Sequence, residues 1–265
     1  GSWKHHLYSF FDFFTHRFSS HITTLTPLDE ELISSRHGVP QERITIIPNG
    51  FDKSVLFFDP AKRKKIRDEL GIFPAEKVVL YSGSLGDEKI EMLFEHISKP
   101  WVVENKVHVL LVLAAEENSF HQKILSEIQK KASEMDIEKR VHIRLNIPYS
   151  HIRAYFSAAD VGLAPIPPAW RTCLPVKALD YAGTNLPIIG IGPENGSFDL
   201  FLKKSKAGVL YPTWELAIAG VARVLQKRND ARATDRRVSD YVQENFSRSM
   251  SSAKMIQLLE KINEK

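Results

Sequence analysis

From about residue 76 onward, short apolar runs alternate with longer stretches of helical periodicity, and this constrains the fold more than any other feature of the chain. Candidate strands lie at 77–82, 107–113, 140–145, 160–165, 186–191 and 208–211. Candidate helices fall between them at 88–98, 120–135, 149–158, 175–183 and 197–205. The runs Val-Val-Leu-Tyr at 78–81 and Val-His-Val-Leu-Leu-Val-Leu at 107–113 are apolar almost throughout. Strands covered by helices on both faces have this character, whereas half-exposed strands alternate. The expectation is an α/β fold with a doubly wound, Rossmann-like parallel sheet and right-handed crossovers.

The flanks differ. Ahead of the sheet the pattern predicts a helix at 4–17, a strand at 20–25, a helix at 27–36 with Pro27 in its first turn, and a strand at 43–47. Pro48-Asn49-Gly50 is a turn by composition, and the charged helix at 59–70 ends at Gly71, a residue suited to the left-handed position after a helix. Beyond Tyr211 the chain reads as helices at 213–227, 233–246 and 247–262, the last with Ser247 as N-cap. Gly1-Ser2 reads as an expression scar, and the chain then begins inside a helical pattern, as a fragment of a longer protein would.

Composition narrows the function. One cysteine, Cys173, excludes a disulfide framework and a cysteine-clustered metal centre. The ten histidines show no metal-ligand spacing, so no metal is expected. The longest apolar runs, such as 107–115, are too short to cross a bilayer. With 36 basic and 32 acidic residues the net charge is +4, and the pI is about 9.0. That mild excess suits an anionic small ligand or a membrane surface, and no zinc-finger spacing or aromatic RNA-binding signature points to nucleic acid.

In open α/β sheets, ligands bind beyond the carboxyl ends of the strands. The first strand runs into Ser82-Gly83-Ser84-Leu85-Gly86-Asp87-Glu88-Lys89. Its glycines allow close backbone approach, and Lys89 at the next helix start is placed to meet phosphate; a glycine turn with a solvated lysine reads the same way. The fourth strand leads to Arg171-Thr172-Cys173-Leu174-Pro175-Val176-Lys177-Ala178-Leu179-Asp180. Proline at the first helical position would present the N–H groups of Val176 and Lys177 to an anion. Asp180, one to two turns in, is either a solvated helix residue or a carboxylate accepting hydrogen bonds from paired hydroxyls, as a ribose offers.

Four segments, in order, resemble GT-B glycosyltransferases of family four. Thr45-Ile46-Ile47-Pro48-Asn49-Gly50-Phe51-Asp52 is similar to the segment linking that family's two halves. Leu80-Tyr81-Ser82-Gly83-Ser84-Leu85 with Lys89 resembles its phosphate loop. The run 155–165 resembles the helix end and strand before its donor site. Pro175-Val176-Lys177-Ala178-Leu179-Asp180-Tyr181, followed by Leu186-Pro187-Ile188-Ile189, resembles a variant of its donor-site helix.

The resemblance, spread over roughly residues 20–262, implies a division into 1–50, the end of an acceptor domain with its linker; 51–245, a nucleotide-sugar-binding domain; and 246–265, a carboxy-terminal helix. It implies a retaining sugar transfer from a nucleoside-diphosphate sugar, the donor substrate, to a glycan or lipid-linked acceptor in polysaccharide biosynthesis, with no cofactor. Lys89 would contact the diphosphate beside Gly83 and Ser84. Asn146 and Ile147 would recognise the base through their backbone, amides around Leu174 and Val176 would face the phosphates or sugar, and Asp180 would hold the ribose. Thr172 stands where the family has the first of its paired glutamates, and Ser84 where it has an arginine; Lys177 or Arg171 are the candidates for that missing charge. The catalytic group is expected in an amino-terminal domain outside this chain, leaving the fragment inactive alone.

The expected location is cytoplasmic, with peripheral membrane contact. The segment 3–18, holding Phe10, Phe11, Phe13, Phe14 and Phe18 among basic residues, is either packed within the acceptor domain or lies in a membrane interface. Two rival readings are a non-catalytic binding module on a degenerate transferase fold and a sugar-nucleotide epimerase. The absence of Gly-x-Gly-x-x-Gly after the first strand argues against the epimerase.

Overall fold

The computed structural model describes residues 3–86, 90–226, 232 and 234–264. Its amino-terminal part comprises α1 (Trp3–Phe18), β1 (Ile22–Thr24), α2 (Pro27–His37) and β2 (Ile44–Ile46). The two strands pair in parallel as a small sheet of their own, with Thr23 opposite Thr45. Thr26 caps α2, accepting from the Asp29 N–H at 3.2 Å, and Gly38 closes it at φ 62°. Next come α3 (Pro60–Glu69) and the main sheet, which begins with β3 (Lys77–Ser84).

The short α4 (Leu93–His96) and α5 (Lys99–Glu104) lead to β4 (Val107–Ala114), α6 (Ser119–Glu134), β5 (Val141–Leu145), α7 (Tyr149–Ala158) and β6 (Val161–Pro165). The order continues with α8 (Val176–Gly183), β7 (Ile188–Ile191), α9 (Ser197–Ser205), β8 (Gly208–Tyr211), α10 (Trp214–Gln226), α11 (Arg237–Phe246) and α12 (Arg248–Asn263). Six strands form one sheet in the order β5-β4-β3-β6-β7-β8, with every pair parallel. The order reverses between β3 and β6, and a doubly wound sheet opens its ligand crevice at that point.

The two faces of the sheet carry separate cores. Val79, Tyr81, Val109 and Leu111 point to one, against Ile124, Ile128 and Ala132 of α6 and Ala217, Val221 and Leu225 of α10. Val78, Leu80, Leu110 and Val112 point to the other, against Ala178, Leu179 and Ala182 of α8 and Phe198 of α9. Successive residues of one strand are therefore buried on opposite sides, the physical cause of the continuous apolar runs.

Several boundaries differ from the sequence-based expectation. β3 runs two residues further, because Gly83 and Ser84 pair with Leu113 and Ala114 of an equally extended β4. The expected helix at 88–98 is replaced by a 3-10 turn, Ile90–Met92, and the single turn of α4. Ser98 starts a separate helix instead: it accepts from the Trp101 N–H at 3.3 Å, with proline in the first turn of α5. Pro175 is the N-cap of α8 rather than its first residue. The amino-terminal strand, expected at 20–25, shrinks to the three residues of β1.

Candidate functional site

At the carboxyl end of β3 the chain turns through Leu85, whose N–H donates to the Ala114 carbonyl at 3.0 Å. Gly86 follows at φ 98°, where a Cβ would stand 2.7 Å from the Phe120 ring. Above β3, β4 and β5 lies an open cavity of about 580 Å³ lined by Ser84, Ala114, Ala115, Glu116, His121 and Asn146. Asn146, at φ 52°, spends its side chain on the neighbouring loop, accepting from the Ala115 N–H at 2.9 Å and donating to the Ala115 carbonyl at 3.0 Å. This amide clasp fixes the β5–α7 loop. The adjacent Ile147 packs against the core.

The α8 helix faces the switch point. Among the described residues no side chain caps its amino end, and a helix amino end of this kind favours negative charge. Lys177 lies with its ammonium 4.5 Å from the centre of the Tyr81 ring. A Cβ built on Gly83 would come within 2.7 Å of that Nζ, so glycine is what lets strand end and cation meet. Tyr181, on the same helix, accepts from the Ser82 N–H through its hydroxyl at 2.7 Å and locks α8 to β3.

Asp180 sits three residues after Lys177, on a neighbouring position of the helix surface. It is only 7% exposed, and its Oδ1 is buried without a hydrogen-bond partner. Burial pushes its carboxyl up to about 7, against a smaller opposing pull from Arg248. Around it stand groups the sequence reading did not single out. Tyr149, at the start of α7, is pushed up to about 12 by burial and then by the Asp180 charge. The Arg248 guanidinium lies 5.3 Å from the Tyr149 ring centre. No local motif links these residues; they meet because α7, α8 and α12 converge.

The other expected site residues are dispersed. Leu174 packs partly buried against the core, and the Val176 side chain is largely exposed. The Thr172 carbonyl accepts from the Thr26 hydroxyl at 3.0 Å, tying the loop before α8 to the cap of α2. Lys89 lies outside the described residues. The structure thus brings Gly83 and Lys177 together with the amino end of α8, and puts Ser84 and Asn146 on the neighbouring cavity.

A six-stranded sheet in this order, with its crevice flanked by an uncapped helix, a cation and a buried carboxylate, has the carboxy-terminal domain fold of GT-B glycosyltransferases. Solved structures share it. The Anabaena HepE protein in complex with UDP-glucose superposes with a TM-score of 0.73 at 17% identity, over 93% of this chain and 65% of that one. Sucrose-phosphate synthase from Thermosynechococcus elongatus gives 0.70 at 19% identity, over 91% and 57%. The carboxy-terminal domain of a group 1 glycosyl transferase from Francisella tularensis is covered completely, with a TM-score of 0.56 at 12% identity and 75% of this chain matched. The chain thus spans less than two thirds of the HepE and synthase chains. No protein-family model and no curated protein sequence matches it.

Proposed function

We propose that this chain is the donor-binding half of a nucleotide-sugar-dependent glycosyltransferase, a hexosyltransferase that acts with retention on a glycan or lipid-linked acceptor. The observation that carries the reading is Asp180: a buried carboxylate oxygen without a partner, on the helix that faces the switch point. A buried acceptor left open costs about 1–3 kcal/mol, which a ligand hydroxyl relieves. In this reading Asp180 holds the ribose, Gly83, Ser84, Lys89, Lys177 and the amides of Val176 and Leu174 meet the diphosphate, and the backbone at Asn146 and Ile147 reads the base. Cations and helix-terminal amides would stabilise charge developing on the leaving diphosphate. HepE has been solved with UDP-glucose, and we extend that ligand class to this chain.

The same reading assigns residues 1–50 to the end of an acceptor domain, 51–245 to the donor domain and 246–265 to the terminal helix. It gives the protein a cytoplasmic location, peripheral at the membrane, with the exposed aromatic face of α1 as the contact. Among the described residues no helix is long and apolar enough to span a membrane. Calorimetry with UDP, GDP and ADP tests the core of the proposal: weak binding of at least one, without turnover, is expected. A folded sample that binds none of them at millimolar concentration overturns it.

A second reading, a non-catalytic nucleotide-binding module, is favoured by Ser84 and Thr172, which carry no charge where the resembled family carries an arginine and a glutamate. Binding of diphosphate without transfer or hydrolysis of the sugar, assayed on the protein over its entire length, would support it.

A further inference from the structure

Away from the sheet, α1 and α2 bring together three side chains that the proposed function does not use. Asp12 and His16 lie one turn apart on α1, and His37 ends α2. The Asp12 carboxylate stands between the two rings: Oδ1 is 3.3 Å from His16 Nδ1, and Oδ2 is 3.3 Å from His37 Nε2. One donor atom from each of the three residues falls within 4.8 Å of the others. We propose that Asp12, His16 and His37 form a zinc site that fastens the aromatic helix α1 to α2.

Three features favour a metal over a plain ion pair. Tetrahedral zinc, with bonds of about 2.0–2.1 Å, holds its ligand atoms about 3.3 Å apart, and each imidazole nitrogen stands at that separation from one carboxylate oxygen, Oδ1 for His16 and Oδ2 for His37. Two imidazoles and one carboxylate are a donor set that zinc prefers. The His37 side chain is 8% exposed, so the cluster is sheltered from solvent on the side of α2.

Metal binding requires a small rearrangement. The two rings are stacked, 4.5 Å apart and 5° from parallel, so their lone pairs cannot converge until one ring turns about χ2, a broad torsion. His16 Nδ1 also lies 2.6 Å from the Asp12 carbonyl, to which its N–H donates. On binding, that proton moves to Nε2 and Nδ1 is freed for the ion.

The test uses the whole chain with His5→Ala and His6→Ala introduced, to remove the adjacent pair on α1 as a competing chelator. Zinc is titrated by calorimetry, and cobalt by its visible absorption. One zinc per chain with micromolar affinity, intense tetrahedral cobalt bands, and at least tenfold weaker binding in both His37→Ala and Asp12→Asn are expected. Asp12→Asn keeps the side-chain shape and sits partly in solvent, so it reads ligation even if His37→Ala fails to fold. A folded parent protein that binds no zinc, or variants that bind it as tightly as the parent, overturn the proposal. Neither result bears on nucleotide binding at α8.

Discussion

Two buried aspartates flank one parallel sheet, and their surroundings are contrary. Asp160, just before β6, is 3% exposed. It accepts from Arg63 at 2.6 Å, from Arg67 at 3.3 Å and from the Val78 N–H at 2.7 Å. A third guanidinium, Arg232, bonds the carbonyls of Phe156 and Ala159 at 2.8 and 2.6 Å beside it. Asp180, 7% exposed and beyond the switch point, has an oxygen with no partner. Equal burial thus serves two ends. At the amino ends of the strands both carboxylate oxygens are hydrogen-bonded, and the carboxylate ties α3 to the sheet. At the ligand side one acceptor is left open, which destabilises the isolated fold and gives an incoming hydroxyl somewhere to bind.

The contrast is broken most directly at Asp160. Replacing it with alanine removes the anionic partner of the buried Arg67 and the partly buried Arg63 and takes the acceptor from the Val78 N–H, and should cost about 3–5 kcal/mol in urea unfolding. A loss below 1 kcal/mol would mean the cluster is no clasp. Asp180→Asn should do the opposite at pH 8. Its folded pKa, raised to about 7 from 3.8, means that the native state holds the proton more tightly than the unfolded chain. The stability Asp180 contributes is therefore full in acid and is lost as pH rises through about 7. Removing the charge should raise stability by about 1–3 kcal/mol at pH 8 and change little near pH 3, below both the folded and the unfolded values. Calorimetric melts at the two pH values check this; equal effects at both would contradict it.

The same variant sharpens the functional side. Asp180→Asn should weaken nucleoside-diphosphate binding by about 1–3 kcal/mol, and 2′-deoxynucleotides should bind the parent protein less tightly than ribonucleotides. Lys89→Ala should remove about 1–3 kcal/mol from diphosphate binding and almost nothing from nucleoside binding, in titrations at low salt. Equal losses for both ligands would point to a displaced fold. The smallest effect belongs to charges that are neither buried nor aimed at a ligand. The Lys64–Asp68 pair on α3 is exposed at both ends, so Lys64→Ala should shift stability by no more than about 0.5 kcal/mol.

A second charged group at the amino ends of the strands repeats the Asp160 pattern. Glu76 pairs with His108 at 3.1 Å and Arg140 at 3.2 Å, and His142 lies 2.9 Å from His108. Burial, with His108 and Arg144 beside it, pushes His142 down to about 4. It is thus neutral in the folded protein throughout the physiological range.

Legibility from sequence followed the range of the contacts. The bounds of α7, α9 and β8 were expected to the residue, since each is set by local periodicity with a proline or glycine at its edge. The extension of β3 through Gly83 and Ser84 was not, because it depends on β4 offering ladder partners some thirty positions away. Lys177 was named from its place at a helix start, and Asp180 as a carboxylate suited to paired hydroxyls and from the family resemblance. Tyr149 and Arg248 were missed because they arrive from α7 and α12. The cluster of Asp12, His16 and His37 was not read from the sequence either, because it joins residues of α1 and α2.

The amino-acid order by itself determined the βα alternation, the continuous apolar strands and thus a parallel sheet with two covered faces, because periodicity and burial act within a few residues. Only the tertiary structure decided which of two buried aspartates would be satisfied. Asp160 and Asp180 are indistinguishable in a hydrophobicity pattern. What separates them is that α3 delivers two arginines to the amino ends of the strands, while none of the described residues delivers a donor to Asp180 Oδ1. The energy of a buried charge is set by partners brought from distant parts of the chain, and no local reading contains them.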